Sequence, residues 1–430
     1  MKTQKVSKKT FSTIALLVLA AFLFWLLQCE VRAASKEPIK IGSLGPLTGP
    51  MSNYGIPTKA GLEILAEEIN AKGGILGQPV KIIYRDSKLN PEVAVREVKD
   101  LVYSEGCKFV GGSLSSAVGL AVSAAVKAMK GKAFFTGYCC TADKITEEEG
   151  HRYVFRADTN TQGWMRGVAI GAADKWGITD KRIYTFSPDY VYGHCCVDEF
   201  LKVYLKRVPD AKVINQTWFP LGSKDYTAYI TAILAAKPDL IYSPIYGGDA
   251  IVFFKQAQPY GLLEKVHFVA ECVPLMECVT NLRKGDAGVP IGVFGDSVNP
   301  FWAMPEDSEA VRYSLAVYNR CGVYPGLMAS NAWVYMAFMK AAIEKAGSTD
   351  VEKVVDALEG LTVSTPWGSI HMRKCDHQPM YPVYTGIIGW DPTGKWPMPI
   401  LLPKTLKRWD DYPAMYHSCE EIMTIRARKK

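Results

Sequence analysis

The serines of "FVGGSLSSAVGLAVSAAV", residues 109–126, are the groups whose type and spacing come nearest to chemistry. An apolar run meets two glycines, then Ser113, Ser115 and Ser116, then small residues suited to a helix. A nucleophile elbow reads G-x-S-x-G, and Gly111-Gly112-Ser113-Leu114-Ser115 lacks the last glycine. A phosphate loop needs G-x-x-x-x-G-K-[ST]; "GKA" at 131–133 fails that pattern, and no G-x-G-x-x-G follows the first strand-like run. No histidine stands at a base position beside a nucleophile. At a helix start, Ser115 and Ser116 would instead join free backbone N–H groups and the helix dipole in favouring an anion, with a small carboxylate the natural guest. A simple N-cap serine explains the same residues, and spacing leaves both readings open. The pattern speaks for holding a molecule rather than transforming it, so no enzyme activity and no cofactor are expected.

The cysteines offer little more. Eleven are present; Cys139–Cys140 and Cys195–Cys196 are adjacent pairs, which rarely bond to each other without strain. Cys272 and Cys278 are the most plausible local bridge, and buried thiols are the simplest account of the rest. "HCC" (194–196) and "CDH" (375–377) lack a second ligand pair at zinc-like spacing, so no metal is expected.

Strand-like runs alternate with helical stretches in two series. The first has runs at 39–47, 80–86, 107–113 and 132–138, the second at 182–189, 211–219, 239–247 and 265–271. They are apolar with little alternation, as in strands buried on both faces. Helical stretches lie between them, among them 57–74, opening with Pro57, and 90–106, opening with Asn90-Pro91. Three more follow near 306–321, 328–346 and 349–360, before a turn-rich, β-forming end. Two parallel α/β units are expected.

Lys2, Lys5, Lys8 and Lys9, the apolar run Ile14 to Leu27, and Val31 and Ala33 read as a secretory signal peptide over 1–33. The run is shorter than the roughly 20 residues of a spanning helix. Cleavage near Ala33 would give an extracytoplasmic protein in which disulfides are permitted. The formal charge is +7, and residues 1–33 hold five basic residues against one acidic. The remainder is too mildly basic to call for nucleic acid or an anionic membrane, and "RARKK" at the end reads as a solvated tail.

Ligands of open α/β sheets sit beyond the carboxyl ends of the strands. Those ends carry "GPLTGPMSNYG", "GGSLSSAV", "TGYCCTAD", "SPDYVYGHCC", "IYGGD" and "AECV", a set rich in hydroxyls, tyrosines and glycines, with Glu271 the one acid that ends a strand.

With "INAKGGILGQPV" as its most specific segment, the chain over about 38–400 resembles the leucine/isoleucine/valine-binding proteins, type I periplasmic substrate-binding proteins of ABC importers. The resemblance implies two Rossmann-like lobes with parallel sheets, joined by three hinge crossings around a ligand cleft. Lobe 1 would be 38–156 plus 295–364, lobe 2 157–294 plus 365–400, and 401–430 a C-terminal tail, with hinges near Ala157, Gly295 and Pro366. It implies that Ser115, with Ser116 beside it, binds a ligand carboxylate, that Thr141 touches the carboxylate or ammonium with Cys140 just before it, and that Tyr54 lines the side-chain pocket. Tyr192 and Tyr246 match aromatic positions of the second lobe, and Glu271 matches an acid that pairs with the α-ammonium. The implied role is capture of an amino acid for a membrane permease by a monomer. An amide, urea or aromatic carboxylate as ligand, or a sensory subunit, are the alternatives. Relatives usually carry small residues where this chain has Tyr138, Cys139 and Cys140, so Tyr138 is expected to reshape the pocket. Cys195, Cys196 and Cys272 fall on loops that should face the cleft.

Overall fold

The computed structural model describes residues 37–49, 51–270 and 282–428. The signal-peptide segment, Glu271 and the Cys272–Cys278 pair lie outside the described residues.

Strands β1 (Ile39–Gly45), β2 (Val80–Asp86), β3 (Phe109–Gly112), β4 (Phe134–Gly137) and β5 (Val154–Arg156) form one sheet in the order β2-β1-β3-β4-β5, every pair parallel. The helices between them are α1 (Ser52–Ala71), α2 (Pro91–Tyr103) and α3 (Ser116–Ala128). All residues of β3 and β4 are buried, which is why these strands show no alternation. Asn90 caps α2 by accepting from Val93 N at 3.0 Å, as its Asn-Pro signal predicts. Helix α1 starts at Ser52, five residues before the expected opening at Pro57, which the helix holds in its interior. The earlier start puts Tyr54 in the first turn.

The second sheet holds β6 (Arg182–Pro188), β7 (Lys212–Phe219), β8 (Leu240–Ser243), β9 (His267–Ala270), β10 (Phe294–Ser297), β13 (Val383–Trp390) and β14 (Pro399–Leu401). Their order is β14-β13-β10-β9-β8-β6-β7, and β15 (Lys407–Trp409) also pairs with β13. The core of this sheet is parallel, and β13 brings an antiparallel edge. Its helices are α4 (Thr161–Trp176), α5 (Val191–Arg207), α6 (Thr227–Ala236), α7 (Gly247–Ala257) and the short α8 (Leu262–Lys265). Helix α4 packs closely because Gly163, Gly167 and Gly171 lie on one face. A Cβ there would meet Tyr416 at 2.3 Å, Val383 at 2.9 Å and Thr385 at 2.7 Å respectively.

Helices α9 (Glu309–Cys321) and α10 (Leu327–Ala346) return to pack on α1, and α10 also touches β3, α11 (Val351–Leu358) and the hairpin of β11 (Thr362–Thr365) and β12 (Gly368–His371). The chain therefore passes between the two sheets three times. Ala157 follows β5 directly. Gly295 lies inside β10, paired with Gly386 of the second sheet, and Pro366 lies in the β11–β12 turn. The second passage leaves β10 toward α9, and the third runs from β12 to β13.

The expected C-terminal tail, 401–430, carries ordered structure, β15, α12 (Tyr412–Met415) and α13 (Cys419–Ala427), and Arg426 at the start of "RARKK" is held by backbone carbonyls rather than solvated. Ser418 and Glu421 close a capping box on α13, a signal present in "SCEE". A disulfide joins Cys375 to Cys419. Cys140 and Cys195 remain thiols, so neither adjacent pair is bonded to itself. No helix among the described residues is long and apolar enough to cross a membrane.

Candidate functional site

The turn after β3 is shaped by backbone geometry. Gly112 has φ +133°, and a Cβ on it would lie 2.0 Å from Leu44 O. Ser113 follows at φ +74°; its N–H donates to Leu44 O at 2.9 Å and its hydroxyl to Ser115 O at 2.8 Å. Ser113 is thus a turn residue, and the turn delivers the N-terminus of α3 to the sheet edge. Ser115 is the N-cap by backbone geometry, yet its side chain makes no capping bond. The Ser116 hydroxyl accepts from Ala142 N at 3.2 Å and ties α3 to the loop after β4.

That loop carries Tyr138, Cys139, Cys140 and Thr141. Tyr138 does not reshape the pocket: it turns into the core, its hydroxyl 3.0 Å from Ser43 Oγ and its ring 5.2 Å from that of Tyr335. Burial drives its phenol well above the usual range. Cys140 is also turned inward. Its Sγ fills the space beside Gly137 and Gly119, where a Cβ would meet it at 2.3 and 2.7 Å, and burial pushes the thiol up to about 11. Cys139, not Cys140, therefore faces the cleft. The fully buried Arg156 holds the loop from within, donating to Cys140 O, Ala142 O and Thr146 Oγ1. Thr141 O in turn accepts from Thr161 N at 2.8 Å, which joins the loop to the start of α4.

The opposite wall comes from the second sheet. Tyr190 and Tyr246 are the N-cap residues of α5 and α7, both extended. Their hydroxyls are 2.7 Å apart, and Tyr192 packs between, with centroids 5.7 Å from Tyr190 and 5.6 Å from Tyr246. Trp164, from the first turn of α4, closes the floor and donates its indole N–H to Asp296.

These pieces meet in one cleft. Leu114, Ser116, Cys139, Thr141 and Leu327 line it from the first sheet's side, and Trp164, Tyr190, Tyr192 and Tyr246 from the other. The cleft is nearly shut, with about 30 Å³ left between these side chains. The lobes touch at its edge, where a Cβ on Gly247 would lie 2.9 Å from Met51 Cε and 4.0 Å from the Tyr54 hydroxyl. Of the expected residues, Ser116, Thr141, Tyr192 and Tyr246 line the cleft. Tyr54 is buried at this contact, Ser115 stands one residue behind, and Cys140 points away. Tyr190, Trp164, Cys139, Leu114 and Leu327 were missed; "DYVYG" displayed Tyr190, but the resemblance drew attention to Tyr192 alone.

None of these nine residues carries a formal charge. The wall offers hydroxyls and the open end of α3 to an acid, and aromatic rings to an apolar body. No group of three His, Cys, Asp or Glu able to hold a metal occurs among the described residues. In "HCC", His194 pairs with Asp189 at 2.9 Å and stacks on Trp218; in "CDH", Cys375 is in the disulfide and His377 bonds to Val154 O.

Asp158, in the first passage between the sheets, is fully buried, and no hydrogen bond of good geometry reaches either carboxylate oxygen, although the Thr159 N–H and the Asn331 amide lie near it. The amide of nearby Asn331 donates to Tyr138 O instead. Burial lifts the Asp158 carboxyl from 3.8 to about 8, with the Arg156 guanidinium offsetting part of the rise. The folded chain thus keeps a proton that the unfolded chain loses above pH 3.8. The associated stability is full below about pH 4 and declines as pH rises to about 8. Asp158→Asn stays neutral, so its stability advantage over the parent chain should grow through this window by roughly 1 kcal/mol per pH unit. Urea unfolding at several pH values checks this; a difference independent of pH would refute it.

A two-lobed α/β chain with a cleft between strand-end loops is the build of a solute-binding protein. The family described as "Periplasmic binding protein" matches residues 38–389, and the chain belongs to it. A "Leu/Ile/Val-binding protein homolog 4" of Brucella abortus is 25% identical, over 81% of this chain and 84% of the relative. "Leu/Ile/Val-binding protein BraC3" of Rhizobium johnstonii is 30% identical, over 77% and 86%. Among solved structures, a Brucella ovis leucine-, isoleucine-, valine-, threonine- and alanine-binding protein in its closed conformation superposes with a TM-score of 0.76 at 22% identity, covering 89% of this chain and 98% of that one. A solute-binding protein of an R. palustris ABC transporter, in complex with 4-hydroxybenzoate, gives 0.75 at 20% identity, covering 88% and 98%.

Proposed function

We propose that this protein is an extracytoplasmic solute-binding protein that captures a small amino acid-like carboxylate between its lobes and presents it to an ABC-type permease. The observation that supports this best is the pairing of the α3 N-terminus, Ser116 and Thr141 on one wall with Tyr190, Tyr192 and Tyr246 on the other. The carboxylate docks first on α3, where oriented N–H groups favour negative charge. Closure then places the tyrosines over the ligand body and pairs its remaining polar atoms, since an unpaired buried polar group costs about 1–3 kcal/mol. Binding energy thereby moves an open–closed equilibrium, and the permease reads the closed shape.

The rings of Trp164, Tyr190, Tyr192 and Tyr246 favour a second reading, an aromatic carboxylate, and a relative of the same fold holds 4-hydroxybenzoate. Glu271 separates the two. If it meets an α-ammonium, Glu271→Gln weakens amino acid binding sharply in calorimetry while leaving the fold intact; for an aromatic carboxylate it changes little. A thermal-shift screen of amino acids, amides and aromatic acids supplies the ligand. With the hit in hand, Ser116→Ala and Thr141→Val are each expected to lower affinity about tenfold, roughly 1.4 kcal/mol. Unchanged affinity in both would remove the carboxylate from this wall.

A further inference from the structure

The chain end is fastened to both lobes. On the second lobe, β15 pairs with β13, Lys407 Nζ lies 2.5 Å from Asp174 Oδ2, and Tyr416 packs on Gly163 of α4. Next the segment crosses the hinge. The Tyr416 hydroxyl lies 2.8 Å from Thr159 Oγ1 in the first passage, and His417 O accepts from Arg373 in the third at 2.6 Å. The His417 ring bridges the lobes, Nδ1 at 3.1 Å from Glu147 of lobe 1 and Nε2 at 3.1 Å from Arg166 of lobe 2. Beyond it, Cys419 is bonded to Cys375 of the third passage. Finally Arg426 of α13 donates to Thr146 O at 2.7 Å and Glu147 O at 2.9 Å in lobe 1, and to Cys375 O at 2.9 Å.

We propose that residues 410–427 are a strap, stapled by the Cys375–Cys419 bond, that restrains lobe opening and biases the ligand-free protein toward closure. The contacts on each lobe are specific, and the staple ties their midpoint to the hinge. Where opening moves lobe 2 against the Thr146–Glu147 loop, to which Gln162 at the start of α4 is also bonded, the Arg426 grip must break or the strap must yield. The strap therefore raises the population of the closed state, and apparent affinity scales with that population. This inference rests on the reading that the two lobes move.

The experiment compares small-angle X-ray scattering of the ligand-free full chain with that of a Cys375→Ser/Cys419→Ser/Arg426→Ala variant, each checked for a cooperative melt. The variant is expected to show a larger radius of gyration and a longer tail in its distance distribution. Cleft amides at the starts of α3, α5 and α7 should exchange about tenfold faster, as more frequent opening requires. Arg426→Ala alone, with the disulfide intact, should shift both readouts in the same direction and answers the question if the triple variant does not fold. Scattering and exchange equal to the parent chain overturn the strap, as does alkylation of both Cys375 and Cys419 in the unreduced protein. L-leucine and 4-hydroxybenzoate are added separately to the parent chain. Since a chain already closed by the strap need not contract further, the readout for these two is the melting temperature: if neither raises it, the result counts against the proposed ligand class and leaves the strap comparison standing.

Discussion

Replacing Arg156 by methionine is expected to destabilise the protein by about 3–5 kcal/mol, because its three hydrogen-bond acceptors would be left in a dry interior. Methionine fills much of the stem's space, so the loss is chiefly electrostatic. Cys140 O, Ala142 O and Thr146 Oγ1 have the guanidinium as their common donor, and hydrogen bonds to a charged group are worth about 1.5–3 kcal/mol each. Lysine should restore little, since one ammonium does not span a planar fork of acceptors. The loop that Arg156 organises also presents Cys139 and Thr141 to the cleft, so ligand binding should fail at temperatures where the fold survives. Urea denaturation measures the first effect as a lower midpoint at unchanged slope. A loss below about 1 kcal/mol would mean that water satisfies these groups.

Gly112→Ala is expected to cost a similar amount, about 3 kcal/mol or more, by a different route. The residue's φ of +133° is one that side chains avoid, and its new Cβ would overlap the Leu44 carbonyl, a backbone atom that cannot rotate away. Leu44 pairs with Gly112 across β1 and β3, so relief of the overlap must part the strands beneath α3. Gly106 provides the control: it also has positive φ, at +78°, but open space around its Cβ position. Gly106→Ala should therefore cost only about 1 kcal/mol, the strain without the overlap. Equal losses at the two positions in thermal melts would show that strain alone governs Gly112.

The fold was legible because a buried parallel strand leaves a short apolar run and each crossover helix leaves its caps. "VKIIYRD" and Asn90-Pro91 are such marks. The site was legible where motif and geometry agree, as at Thr141 and Tyr246. At Ser115/Ser116 and Cys139/Cys140 the sequence does not say which of two neighbours a turn points outward; Ser116 and Cys139 are the ones that line the cleft. The hinges pose a related problem. Gly295 and Pro366 are breakers by type, yet one sits in a strand with its neighbours' hydrogen bonds and the other in a hairpin turn. The ordered end was hidden because its hold is long-range. Nothing near Cys419 announces Cys375, and nothing in "RARKK" says that Arg426 finds three carbonyls.

The return of α10 to the first sheet has a consequence for how the chain acquires its shape. Strands β1 to β5 are made early, but the helices that pack on α1 and β3 emerge only after the whole second sheet up to β10. Until then an apolar face of the first sheet lacks its cover, and loop closure over so long a separation is slow. The two lobes are thus not two independent folding units in sequence. A fragment ending after β10 would expose Tyr138 and Tyr335's docking surface and aggregate, and lobe 1 reaches its native packing only when α10 docks.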